Sequence, residues 1–263
     1  MAPAQVLADL TVLVTRPAGQ ADELVRLIES AGGRALRFPA VEIAEPADTA
    51  ALNALLRALP SFDWAIFISP NAVNKTFNLL KAQGEWPRHV RVASIGKGSA
   101  TALKHFGVAD PLVPSGRFDS EGLLASPALQ DIRGKRIVIF RGDGGREALG
   151  DTLAARGAEV TYAECYRRIK PRADAGPLLR AWARGELHVV TLTSVQSLHN
   201  LFDVVGKLGQ QWLLKTPTVV VSERIADACR ELRFKAPVIV AENASDAAVV
   251  AAISSWRERQ NAL

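Results

Sequence analysis

The sequence predicts an α/β protein built as two doubly wound parallel-sheet lobes related by an internal pseudo-repeat, and three observations carry that expectation. Short β-branched runs alternate with helical segments, separated by Gly, Pro, Ser and Asn. Several of the runs, such as WAIFI and TVVV, are apolar without interruption, as parallel strands covered on both faces require. The chain also resembles itself. One gapless slide superposes Arg16 on Arg141, Gly19 on Gly144, Leu24 on Leu149, Ile28 on Leu153 and Gly32 on Gly157, and also Ser69 on Ser194, Gly84 on Gly209 and Ser120 on Ser245. One place further superposes Ala100 on Ala226 and Ala102 on Ala228. Many of these matches fall at strand exits and helix starts. Taken alone, the repeat divides the chain near residue 130.

The elements follow in order. A strand at 11–15 leads into a helix at 20–31 whose apolar Leu24, Val25 and Ile28 share one face and which Gly32 closes. A strand at 34–43 precedes a helix at 47–58, and WAIFI makes a strand at 63–68 that ends on Ser69-Pro70, a helix start, with a helix at 71–83. A strand at 91–95 feeds a helix at 97–106 through a glycine turn, and a short helix at 120–124 follows Asp119. The second copy gives a strand at 135–140, a helix at 146–156, a strand at 159–168 and a helix at 173–184. The chain ends with strands at 188–192, 218–221 and 237–241 and helices at 195–208, 223–232 and 245–258.

Composition narrows the function classes. At about 150 residues per domain, 263 residues allow two modest lobes, which would bury roughly 70–75% of the extended chain's surface without a metal or disulfide staple. With 48% apolar and 22% charged residues the chain is neither disordered nor fibrous. Its longest apolar run, Ala247–Ile253, is far shorter than a membrane span, and Asp9 interrupts an opening that lacks a basic leader, so neither membrane insertion nor secretion is expected. Cys165 and Cys229 form no CxxC, which fits a reducing cytoplasm and argues against zinc. Net charge is +5, but the densest basic cluster, Arg167, Arg168, Lys170 and Arg172, has no interleaved aromatics. It reads as a solvated linker, with no nucleic-acid partner. A small polyanionic substrate remains.

Open parallel sheets bind ligands beyond the carboxyl ends of their strands, and there the sequence repeatedly places an anion-friendly turn. These are Arg16-Pro17-Ala18-Gly19, Ser69-Pro70-Asn71, Gly96-Lys97-Gly98-Ser99, Arg141-Gly142-Asp143-Gly144-Gly145-Arg146, Ser194-Val195-Gln196-Ser197 and Ser222-Glu223-Arg224. Amides of a helix's first turn attract oxyanions. Each Ser or Asn taken singly reads as an N-cap worth about 1 kcal/mol, but six such turns point to more than capping. Other chemistries lack their residues. RGDGGR has neither GxGxxG nor GK[ST] spacing, the four histidines form no metal pattern, and there is no GxSxG elbow or evident carboxylate pair.

The chain resembles the uroporphyrinogen-III synthase family over nearly its whole length. The blocks are VLVTRPAGQADELVRLIESAGGRALRFPAVEI, FISPNAV, SIGKGSATALKHFG, SEGLL, IVIFRGDGGREALGDTLAARGAEVTYAECYRR, TLTSVQSL, VVSERIADACRELRF and ASDAAVVAAI, and it is their order and spacing that is specific. The resemblance implies a cofactor-free, monomeric enzyme. Its reaction closes the linear tetrapyrrole hydroxymethylbilane to uroporphyrinogen III, with loss of water and inversion of the last ring. It also implies a discontinuous lobe, 1–38 plus 171–263, a second lobe at 43–165, and a two-stranded hinge at 38–43 and 165–170 with the substrate in a cleft. Tyr166, in ECYRR, occupies the family's tyrosine position and is the candidate acid for the departing hydroxide, packing in the hinge being its alternative role. Ser69, Asn71, Ser99 and Ser194 match substrate-contacting turns. Arg16, Lys97, Arg141, Arg146 and Arg224 are candidates for the substrate carboxylates. The block that reads GPTTARAL elsewhere is here Ser222-Glu223-Arg224-Ile225-Ala226, with two hydroxyls missing and an acid added. A non-catalytic tetrapyrrole-binding or sensory module of the same fold is the rival reading, and a binding protein for another polyanion a third.

Overall fold

The computed structural model describes residues 5–145 and 147–261. Along the chain lie β1 (Thr11–Val14), α1 (Asp22–Ser30), β2 (Arg34–Arg37), β3 (Glu42–Ala44), α2 (Thr49–Arg57), β4 (Trp64–Phe67), α3 (Pro70–Leu80), β5 (Arg91–Ser94), α4 (Lys97–His105) and α5 (Ser120–Leu124). They continue with β6 (Arg136–Gly142), α6 (Ala148–Ala155), β7 (Glu159–Ile169), α7 (Gly176–Ala183), β8 (Val189–Leu192), α8 (Val195–Val204), α9 (Gly206–Leu213), β9 (Thr218–Val220), α10 (Glu223–Glu231), β10 (Val238–Val240) and α11 (Asp246–Asn261). The chain divides into two compact units, Met1–Glu42 with Ile169–Leu263, and Ile43–Arg168. Among the described residues no helix is long and apolar enough to cross a membrane.

The first unit holds a sheet in the order β10-β9-β8-β1-β2, each neighbouring pair parallel. Its strands are apolar on both faces because both are covered. Val12 and Val14 pack with Leu24, Ile28, Val249 and Ile253, while Leu13 packs with Leu198, Leu201 and Ile225 on the other side. Two buried threonines lace β1 to β8: Thr15 Oγ1 donates to Thr191 O at 2.7 Å and Thr191 Oγ1 to Leu13 O at 2.9 Å.

The second unit has the order β3-β7-β6-β4-β5, with the pairs β7-β6, β6-β4 and β4-β5 parallel. Along the fully buried β4, Trp64 and Ile66 face a cluster with Leu123, Leu149 and Leu153, whereas Ala65 and Phe67 face Val73, Phe77, Leu52 and Leu56. The period of two thus serves two cores.

The self-similarity of the sequence has a direct structural meaning. The offset of the repeat carries β1, β2, β8 and β9 onto β6, β7, β4 and β5, and the sheet orders β9-β8-β1-β2 and β5-β4-β6-β7 coincide under that mapping. The copies are circularly permuted, so a cut near residue 130 falls between α5 and β6, inside the second unit.

Three element expectations need correction. The strand expected at 34–43 is two strands in different sheets, β2 and β3, because Pro39 cannot donate to a ladder. The helix expected to end at 208 stops at Val204, and a separate α9 follows. Gly206, at φ +63°, marks the break, and two glycines hide the apolar periodicity of GKLGQQWL. The basic cluster after Tyr166 is a linker only in its second half, where Lys170 and Arg172 lie in the connection between β7 and α7. Arg167 and Arg168 are strand residues of β7, with Arg167 Nε donating to Glu45 O at 3.0 Å and Arg168 N to Asp143 Oδ1 at 3.0 Å.

Candidate functional site

Each doubly wound sheet has a switch point where successive crossovers leave in opposite directions, and the strand ends flanking it open a crevice. In the second unit this point lies between β4, which runs out into Ile68-Ser69, and β6, which ends at Arg141-Gly142. Ser69 is the N-cap of α3, with φ −157° and ψ 155°, and its Oγ accepts from Ala72 N at 3.1 Å. The same Oγ lies 3.0 Å from Tyr166 Oη. Tyr166 reaches the switch point because β7 runs past a register shift at Arg141/Gly142, which sets Tyr166 opposite Gly142. The two residues expected to bind and to protonate are therefore one hydrogen-bonded pair. The Tyr166 ring is only 1% exposed and belongs to the core cluster of Phe67, Phe140 and Cys165.

Glycine at position 142 is what admits the ring. A Cβ there would stand 2.7 Å from Tyr166 Cε2 and Cζ. Gly142→Ala is expected to cost about 1–3 kcal/mol and to lower turnover by displacing the Tyr166 hydroxyl. Chemical denaturation and steady-state kinetics check both, and a variant of wild-type stability and rate would show that the ring moves freely.

The other second-unit candidates are placed unevenly. Lys97 opens α4 with its ammonium 4.6 Å from the Phe118 ring centroid, and Gly98 lies against Pro70, so the starts of α3 and α4 adjoin. Asn71 sits in the first turn of α3 and lines a pocket with Ile43, Glu45, Asn74, Lys75, Asn78 and Leu79. Ser99 is 2% exposed, so its hydroxyl points into the protein and not at the surface of the turn. Arg141 is also buried. Its guanidinium stacks 3.9 Å from the Tyr162 ring centroid and pairs with Glu164 at 3.4 Å, while Nε and Nη1 have no hydrogen-bond partner. Arg146 lies outside the described residues.

In the first unit the switch point lies between β1 and β8. Ser194 caps α8 with φ −158° and ψ 155°, accepting from Ser197 N at 3.0 Å in a reciprocal capping box. Ser222 begins α10 in the same conformation, φ −165° and ψ 154°, and Gly96 begins α4 at φ −149° and ψ 156°. Ser222 makes no cap hydrogen bond. The added acid Glu223 is paired with Arg230 at 3.1 Å, and Arg224 is exposed. Arg16 is engaged by Asp246, whose Oδ1 is 2.6 Å from its Nη2 but off the hydrogen-bond line. Burial pushes the Asp246 carboxyl above its ordinary pKa, and the nearby Arg16 charge opposes that shift. Burial also raises the thiols of Cys165 and Cys229 to about 11, which leaves both unreactive at neutral pH.

Sequence reasoning found Ser69 and Tyr166 separately but missed their partners Arg168 and Asp143. Asp143 N donates to Tyr166 O at 2.8 Å while its carboxylate takes the Arg168 amide, latching the glycine turn to β7. The signal for Arg168 was the basic cluster, and that for Asp143 the glycine turn after the strand of IVIF.

Known proteins align with this arrangement across the chain. The family model described as "Uroporphyrinogen-III synthase HemD" matches residues 22–251. The uroporphyrinogen-III synthase of Escherichia coli K12 is 38% identical over 93% of this chain and 100% of its own length, and that of Salmonella typhimurium LT2 is 35% identical with the same coverage. Among solved structures, a mutant uroporphyrinogen III synthase from the extremely thermophilic bacterium Thermus thermophilus has a TM-score of 0.62 at 21% identity, covering 95% of this chain and 99% of its own. The Helicobacter pylori 26695 enzyme has a TM-score of 0.58 at 14% identity, over 94% and 99%. These two share the fold. With a family model spanning most of the sequence and relatives matched end to end, the chain belongs to the uroporphyrinogen-III synthase family.

Proposed function

We propose that the protein closes hydroxymethylbilane to uroporphyrinogen III with inversion of the last pyrrole ring and release of water, a cyclising lyase reaction. The full-length match to relatives carrying that enzyme name is the observation that carries this reading. In it, Tyr166 gives its proton to the departing hydroxyl of the substrate. The carbon–oxygen bond breaks with its electron pair on oxygen, water leaves, and the pyrrole nitrogen stabilises the cation that remains. Attack at the substituted carbon of the last ring gives a spiro intermediate, which fragments and recloses in the inverted sense. The phenolate recovers a proton when the final pyrrole rearomatises. Unassisted closure gives the uninverted isomer, so most of the protein's contribution is to hold the chain curled.

The substrate's carboxylates are assigned to the first-turn amides of α3 and α4, that of Ser99 among them since its hydroxyl faces inward, with the side chains of Asn71 and Lys97, and in the first unit to Ser194, Ser222 and Arg224. Arg16 and Arg141 join them only by exchanging their present partners, Asp246 and Glu164. The hinge strands are assigned to 38–43 and 165–170, between lobes of 1–38 plus 171–263 and of 43–165. A cytoplasmic location fits this reading, since both cysteines are free and buried, and the assembly assigned with it is a monomer.

The test is incubation with freshly generated hydroxymethylbilane and separation of the isomers. The expected product is the type III isomer, formed without added metal or nucleotide at a rate that chelators leave unchanged. Type I product at the spontaneous rate would overturn the enzymatic reading and leave the binding module as its rival.

A further inference from the structure

The hydroxyl of Tyr166 has a second neighbour that the carboxylate-binding scheme leaves unused. Arg168 Nη2 lies 3.4 Å from Tyr166 Oη, with its guanidinium carbon 5.9 Å from the ring centroid. An arginine only donates, so Tyr166 Oη accepts in that contact. Its own proton is then directed to Ser69 Oγ, 3.0 Å away, or to a substrate oxygen that takes that place. Ser69 Oγ already accepts from Ala72 N in the first turn of α3, at the positive end of a helix. Two sources of positive potential, a guanidinium and a helix start relayed by a hydroxyl, thus converge on one phenolic oxygen.

The fold fixes the backbone that carries this cation. Two residues on in the strand, Arg168 shares a face of β7 with Tyr166, and its backbone N–H is fixed by Asp143 Oδ1 at 3.0 Å. Asp143 in turn donates its own N–H to Tyr166 O at 2.8 Å. The glycine turn after β6 therefore sets the tyrosine and the arginine as one unit.

We propose that Arg168 is a positioning residue for Tyr166. It orients the phenolic proton away from itself and toward the departing hydroxyl, and it stabilises the negative charge left on the oxygen when that proton is gone. This rests on the reading of Tyr166 as the acid. The step it assists is the one already balanced above: the Oη–H bond breaks, the proton goes to the leaving oxygen, and the charge that stays on Oη faces the guanidinium.

The experiment is a double-mutant cycle with hydroxymethylbilane as substrate. Arg168→Gln should lower kcat on the order of tenfold, as loss of a charge-assisted hydrogen bond does, with KM within about twofold and the unfolding midpoint unchanged, since Arg168 is exposed. Arg168→Lys, which keeps the charge, should recover most of the rate. In a Tyr166→Phe background, Arg168→Gln should have no further effect. An equal loss in both backgrounds, or a wild-type rate for Arg168→Gln beside a slow Tyr166→Phe, would overturn the proposal. A wild-type rate for Tyr166→Phe alone would overturn the acid reading itself. A rise in KM at unchanged kcat would make Arg168 a carboxylate contact and not a positioning residue.

Discussion

Tyr166→Phe lowers turnover by about 10²- to 10⁴-fold, the usual contribution of a positioned acid, and leaves the Michaelis constant nearly unchanged. The hydroxyl is the whole of the difference between the two side chains, and it touches Ser69 Oγ and Arg168 Nη2. The ring stays in its slot against Gly142 and Phe140, so packing is preserved. Residual activity is expected, because the pyrrole nitrogen can expel hydroxide unaided and the curled substrate still recloses in the inverted sense. Steady-state kinetics with isomer separation reads the effect: the type III product slows while spontaneous type I product rises in proportion. A pure packing role predicts something different. The variant would then lose about 1 kcal/mol of stability for one neutral hydrogen bond and turn over at the wild-type rate, and that pair of results would remove Tyr166 from the chemistry.

The largest expected effect on stability is Phe67→Ala. Phe67 is fully buried in β4 and stacks on Phe140 at 4.7 Å with an interplanar angle of 8°. Phe77 and Trp86 lie 5.9 and 6.0 Å away, and Phe77 stacks in turn on Phe106 at 5.0 Å. Such a truncation leaves a cavity that rigid strands on either side cannot close, at a cost of about 3–5 kcal/mol. A typical domain has about 5–15 kcal/mol in total. The loss should fall on the second unit, whose core cluster holds these rings, and not on the first, which has its own clusters. Hydrogen exchange in increasing urea should therefore show peptides from 43–168 losing protection well before those from 189–261. A uniform shift of both sets would mean that the units unfold as one, and a shift below about 1 kcal/mol would mean that the aromatic column repacks.

Much of this was legible along the chain. Runs such as WAIFI need no partner to declare a strand covered on both faces, because a sequence without alternation has no face to give to water. Ser69-Pro70 and Ser194-Val195 mark helix starts by local chemistry, and both cap as their residue types require. The similarity at a fixed offset revealed two copies of one sheet, and the family resemblance supplied the reaction. Two boundaries failed: the Pro39 break, a clear local signal that the apolar residues on either side of it masked, and the start of α9 behind its two glycines.

What the sequence determined, then, is local: which segments are strands or helices, where each helix begins, and which turns carry polar groups at strand ends. The tertiary structure decided which of those groups are available and which are spent. Arg16 is engaged by Asp246 and Arg141 by Tyr162 and Glu164, pairings between residues far apart in sequence or on neighbouring strands that composition does not disclose. Ser99 faces inward because the third position of α4 lies on its buried side. The tyrosine meets its serine only because β7 continues past a register shift and a residue without a Cβ leaves room for the ring. Side-chain chemistry is written in residue identity, but partnership depends on strand order and register, and those follow from burying two faces of a sheet at once.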